Sequence, residues 1–154
     1  NHDYTEWTEG KYFLLTTDID LNGKEDNQWI PILAGVHHDG SLNINIDGGN
    51  HKISGLYIDN NSEIKDEKSV WYSNSASLFN DLGSSCIKNL YVEGEIYIDD
   101  ITCAGIAGQH TGIIENCKTD VDIETNGDAC GFVAHPKSGS IIKNCNNVGN
   151  IVLR

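Results

Sequence analysis

The chain has 154 residues, 38% of them hydrophobic, and its 23 acids against 10 Lys and Arg give a formal net charge of −13. That excess excludes a nucleic-acid binder, because phosphate binding is driven by Lys and Arg neutralisation, and it disfavours an anionic membrane surface. No stretch is apolar for long enough to span a bilayer, and the length suits one domain with its own core.

The first elements are Tyr12-Phe13-Leu14-Leu15, Asp18-Ile19-Asp20-Leu21 and Trp29-Ile30-Pro31-Ile32. Within them, Asp18-x-Asp20-x-Asn22-Gly23 followed by Asp26 matches the opening of an EF-hand calcium loop. This makes Asp18, Asp20, Asn22 and Asp26 the candidate metal ligands, with Ca²⁺ as the ion. The twelfth position is Trp29, where a bidentate acid belongs, and Ile19 and Leu21 alternate with the acids as on a half-exposed strand. The strand is the plainer reading, and no cofactor is expected. His37-His38 is an adjacent pair, not a metal-ligand spacing.

Next comes Ile46-Asp47-Gly48-Gly49-Asn50-His51-Lys52-Ile53-Ser54-Gly55-Leu56, then a polar, charged segment from Asp59 to Ser75 that reads as an inserted loop. The insertion contains Trp71-Tyr72. Long loops on rigid scaffolds concentrate function, and an aromatic pair there can stack on a sugar ring or anchor a protein. Trp71 and Tyr72 are therefore the candidate ligand-binding residues, against the plainer reading that they pack back over the loop.

From Ser77 onward the chain repeats. Ser77-Leu78-Phe79-Asn80, Gly105-Ile106-Ala107-Gly108 and Gly131-Phe132-Val133-Ala134 are one recurring unit. Ile87-Lys88-Asn89-Leu90, Ile114-Glu115-Asn116-Cys117 and Ile142-Lys143-Asn144-Cys145 are another, 27 and 28 residues apart, with Ile53-Ser54-Gly55-Leu56 as a looser early copy. After each tetrapeptide, Gly94, Ile96 and Ile98 fall in register with Val121, Ile123 and Thr125, and with Gly149, Ile151 and Leu153. Period-2 alternation makes these one face of a strand, with Ile96, Ile123 and Ile151 as an inward ladder.

The tetrapeptide breaks that alternation. Its third position holds Asn or Gly, which tolerate positive φ, so a left-handed corner is expected there. A fixed period near 27 residues means a solenoid, since one repeat cannot bury its own apolar face. About three short strands with tight corners fit each repeat. With 16 Gly and no Met, helix is a poor fit. The expected fold is all-β: a right-handed single-stranded parallel β-helix of about four coils.

These residues resemble a known family. The run from Tyr12 to Leu56, and the later Gly-Ile-Ala-Gly and Ile-Glu-Asn-Cys units, look like GLUG-type right-handed β-helices, with the unit at Ser77 to Asn80 degenerate. The resemblance covers roughly Tyr12 to Leu153. It implies a module of large secreted or surface-anchored bacterial proteins, such as adhesin-like proteins and the non-catalytic parts of immunoglobulin A proteases. The chain begins at Asn1 without Met and ends at Arg154 directly after an inward strand. It is expected to be a single domain, residues 1–154, cut from a larger protein with further coils or domains.

Five cysteines are present, Cys86, Cys103, Cys117, Cys130 and Cys145, with no C-x-x-C. Cys117 and Cys145 take the slot of Leu90 and Leu56 and read as buried ladder residues. Adjacent coils are near enough for a bridge there, and Cys103 with Cys130 make a second candidate pair. Glu93 and Glu95 align with Asp120 and Asp122 as an outward acidic face. Carboxylates stacked this way suit Ca²⁺ or an acid–base pair, with Glu95 and Asp122 near enough to raise one pKa. A solvated face is the plainer reading.

Two functions follow. The first is a non-catalytic surface or secreted module, an adhesin-like scaffold or ligand-binding segment, with a glycan or a host or surface protein as partner and an extracellular or cell-surface bacterial location. The second is a fragment of a polysaccharide-active enzyme, a glycoside hydrolase or lyase. No catalytic set can be assembled from the sequence, so the first is preferred.

Overall fold

The computed structural model describes residues 9–32, 43–61 and 75–154. In chain order the strands are β1 (Lys11–Leu14), β2 (Ile19–Asp20), β3 (Ile44–Asp47) and β4 (Lys52–Asp59). They continue with β5 (Ser75–Ala76), β6 (Phe79–Leu82), β7 (Cys86–Lys88) and β8 (Tyr91–Tyr97). Then come β9 (Thr102–Ala104), β10 (Ala107–His110), β11 (Ile113–Glu115) and β12 (Lys118–Thr125). The last are β13 (Ala129–Cys130), β14 (Val133–Pro136), β15 (Ile141–Lys143), β16 (Asn146–Asn147) and β17 (Ile151–Leu153). Each repeat after residue 75 thus holds four strand positions, not three. The extra one, at β5, β9 and β13, is two or three residues long.

The described residues are all strand, turn and loop, and every pairing between these strands is parallel. One sheet runs β1-β3-β7-β11-β15 and another β2-β4-β8-β12-β16, with β17 also on β12. Two three-stranded sheets run β6-β10-β14 and β5-β9-β13. This is an all-β fold of separate parallel sheets, compatible with a solenoid. Parallel partners need long connections, and here the connection from β7 to β11 is supplied by β8, β9 and β10.

Register follows the repeat. Ile87 pairs with Ile114, and Ile114 with Ile142. Ile96 pairs with Ile123, and Ile123 with Ile151. Phe79 and Val133 both pair with Ala107. The inward rows make one apolar core from Ile44 to Val133. Burying each such aliphatic side chain contributes about 1.5–3 kcal/mol. The Ile ladder also reaches one step further than expected, because Ile58 pairs with Ile96.

The corners form where Asn was expected to allow them. Asn89, Asn116 and Asn144 have φ of 53°, 54° and 54°. They stack, since Asn116 Nδ2 donates to Asn89 Oδ1 at 3.4 Å and Asn89 Nδ2 to Asp47 Oδ1 at 2.9 Å.

The early copy at Ile53 to Leu56 is not a corner. Ile46, not Ile53, pairs with Ile87. Ile53 pairs with Val92 and Leu56 with Gly94, so Ser54 and Gly55 together oppose Glu93. Gly55, at φ 71°, makes a β-bulge. The true early corner is longer and uses Gly49 and Asn50, at φ 59° and 62°.

The cysteines are unbridged. Cys117 is buried, and Cys145 lies beside it with its Sγ 3.5 Å from the Cys117 amide nitrogen. They share the slot of Leu90 but not of Leu56, which sits in the middle of β4. Cys103 opposes Ala129 and Cys130 opposes Ala104, so the second candidate pair does not face itself.

Candidate functional site

The outward face of β4, β8 and β12 gathers more chemistry than any other described surface. Alternation builds it: along Lys118–Thr125 every second residue is buried, and Val121 and Ile123 turn inward as Asp120 and Asp122 turn out. Across the three strands the outward rows are Lys52, Tyr91 and Lys118; then Glu93 and Asp120; then Tyr57, Glu95 and Asp122; then Asp59, Tyr97 and Glu124. The four acids of the expected face, Glu93, Glu95, Asp120 and Asp122, therefore lie together.

Three of the four acids, Glu93, Asp120 and Asp122, meet a partner along the stack. Lys52 Nζ lies 3.0 Å from Glu93 Oε2. That contact holds the Glu93 carboxyl below the usual range and raises the Lys52 ammonium. Lys118 Nζ sits 4.3 Å from the centroid of the Tyr91 ring, a cation–π contact. The Tyr91 hydroxyl donates to Asp120 Oδ2 at 3.1 Å. Burial, and then that hydrogen bond, push the Tyr91 phenol up to about 12. Asp122 Oδ1 accepts the backbone and side-chain N–H groups of Asn150 at 2.8 and 2.9 Å. Arg154 Nε reaches Glu124 Oε1 at 3.1 Å.

Between these pairs stand Tyr57, Tyr91 and Tyr97, each half-buried. Tyr57 and Tyr97 meet edge to face, with centroids 6.4 Å apart. The Tyr57 hydroxyl donates to Asp59 Oδ2 at 3.2 Å. Burial raises the Tyr97 phenol, helped by the charges of Glu95 and Asp122. The sequence reading passed over these tyrosines. Their signal was available: Tyr91, Glu93, Glu95 and Tyr97 share one parity, which puts rings and carboxylates on the same face. Amphipathic rings among carboxylates suit stacking on sugar rings and accepting hydrogen bonds from hydroxyls.

The other expected positions do not join this face. Asp18 Oδ1 accepts from the Lys52 N–H at 2.9 Å and lies 3.1 Å from His51 Nδ1. The Lys52 contact comes first in holding the Asp18 carboxyl low. Asp20 Oδ1 accepts from the Asn22 N–H at 2.8 Å, and Asp26 pairs with Lys24 at 3.1 Å. Each carboxylate of that motif is turned to a separate partner, and Trp29 donates its indole N–H to Leu78 O at 3.0 Å. No group of three or more His, Cys, Asp and Glu able to hold a metal ion occurs among the described residues. Trp71 and Tyr72 lie outside the described residues, as does most of the insertion from Asp59 to Ser75.

Compared with known protein families, curated proteins and solved structures, the chain matches none.

Proposed function

We propose that this chain is a non-catalytic module of a secreted or surface-displayed bacterial protein. Its fold is a right-handed single-stranded parallel β-helix of about four coils, and it acts as an adhesin-like scaffold that holds a glycan on the outer face of β4, β8 and β12. The right hand follows from the strong preference of parallel β crossovers for that hand. The GLUG-like corner and glycine units support the bacterial surface location and further coils in the parent protein.

One observation carries the reading. On the outer face Glu93 and Asp120 are used in pairing neighbouring repeats, Lys52 to Glu93 and Tyr91 to Asp120, while Tyr57 and Tyr97 form a half-buried ring pair beside the exposed Glu95. Such a face suits holding a ligand better than moving protons. Trp71 and Tyr72 of the insertion are the second aromatic pair proposed for contact.

The test is calorimetric titration of the chain against a panel of neutral and acidic polysaccharides, with the products analysed. Tyr57→Ala with Tyr97→Ala should weaken the best binder by about 2 kcal/mol, the size of an aromatic hot spot. The circular-dichroism signal of the sheets should stay. Release of reducing ends or unsaturated products, abolished by Asp122→Asn, would overturn this reading in favour of a polysaccharide-active enzyme.

A further inference from the structure

The outer face of β4, β8 and β12 divides into two halves of different charge. Lys52 and Lys118 are the first residues of β4 and β12, and no Lys or Arg follows in either strand or occurs in β8. Both ammonium groups gather at the Tyr91 ring, 5.7 and 4.3 Å from its centroid, and Lys52 also meets Glu93. The other half consists of the rows Tyr57, Glu95, Asp122 and Asp59, Tyr97, Glu124. Asp122 accepts from Asn150 and Asp59 from the Gln28 side-chain amide. These partners are neutral, so they satisfy the oxygens and leave the negative charge in place. Arg154 engages the far edge, at Glu124 and Asp99.

Glu95 lies in the middle of this half. It is the register partner of Tyr57 on one side and of Asp122 on the other, and Tyr97 follows it by two residues on the same face. It is exposed, whereas Tyr57, Tyr97 and Asp122 are half-buried. Like charges directly across neighbouring strands are destabilising, so Glu95 beside Asp122 is a cost that a bound cation would offset. Both rings sit in the same field. Burial raises the Tyr57 phenol, with the charges of Asp59, Glu25 and Glu95 adding to it.

The charge selects among glycans. A sugar acid would be repelled by Glu95, Asp122 and a chain of net charge −13. A neutral sugar would use the rings alone. An ammonium group gains a charge-assisted hydrogen bond from a carboxylate and attraction from the aromatic faces. We infer that this half of the face selects a glycan bearing free amino groups, a chain of deacetylated amino sugars. Tyr57 and Tyr97 pack against its pyranose rings, and Glu95 accepts from its ammonium. The inference rests on the glycan-holding reading of this face and adds its substrate class and the residue that sets it.

The experiment titrates the full chain calorimetrically with an oligomer of β-linked glucosamine and with its fully N-acetylated counterpart, in mildly acidic buffer that keeps the amines protonated. The amine form should bind about tenfold more tightly, the size of one hydrogen bond to a charged group. Added salt should narrow that gap. Glu95→Gln, at an exposed position, should keep the circular-dichroism signal and bring the two affinities together. Tyr57→Ala with Tyr97→Ala should weaken both. A polycation drawn by net charge alone would keep its preference in Glu95→Gln, and that result would overturn the proposal. Equal affinity of the parent chain for the two oligomers would overturn the amine selectivity while leaving glycan binding standing. Binding of neither would also overturn it, and the polysaccharide panel then decides the glycan reading separately. A lysine oligomer of matched charge that binds as tightly as the amino sugar would assign the face to a basic peptide instead.

Discussion

Single residues set the corners and one buried switch. Asn89, Asn116 and Asn144 take a left-handed conformation that costs other L-residues about 1–2 kcal/mol, and their side chains then bond up the stack. This was legible because Asn recurred in one slot of a fixed period. Gly55 was misread because a bulge and a corner call for the same residue type. His110 was not legible at all, since one buried histidine leaves no periodic trace. It is fully buried, with Nε2 3.1 Å from Ser85 O and Nδ1 3.2 Å from Ser140 Oγ. A carbonyl can only accept, so the neutral ring donates from Nε2 and accepts the Ser140 hydroxyl proton at Nδ1. Burial lowers its pKa from the ordinary 6.5, opposed in part by the Ser85 carbonyl and the charge of Asp81. Above that value both folded and unfolded chains are neutral here, and the contribution of His110 is complete. As pH falls below it the unfolded chain protonates first, so stability is lost toward the lower folded pKa. The denaturant midpoint should therefore drop between pH 7 and pH 5, and His110→Gln should shrink that drop. An unchanged drop in the variant would remove His110 from the account.

At the scale of elements, the longer strands were readable and the shortest were not. β8 and β12 alternate over seven and eight residues, enough to give their inward rows in advance. β5 and β13 span two residues each, too few to show any period, which is why four strand positions were read as three. The outward face needed the same parity rule applied to polar residues. The acids were gathered that way, but the tyrosines between them were not. Gly94 of β8 lies against the backbone of β4, where an added Cβ would stand 2.1 Å from Leu56 O. That contact is with backbone, so the strands must part to admit a methyl. Gly94→Ala should cost about 1–3 kcal/mol by overpacking. A urea midpoint unchanged from the parent would show that β4 and β8 are not held this close.

The whole molecule is built on neighbours far apart in sequence. Its apolar rows, its Asn corners and its alternating charges all join residues about one repeat apart, and the outer face of β4, β8 and β12 follows from that stacking. The repeat period foretold this much. It was silent on which ions pair, because side chains of one row meet only once register is fixed. The most direct test is zero-length carbodiimide cross-linking of the native chain, read by mass spectrometry. The stacking predicts links from Lys88 to Asp47, Lys143 to Glu115 and Lys52 to Glu93, whose charged groups lie 3.2, 3.0 and 3.0 Å apart. Links confined to sequence neighbours, such as Lys118 to Glu115 or Lys118 to Asp120, with those three absent, would contradict it.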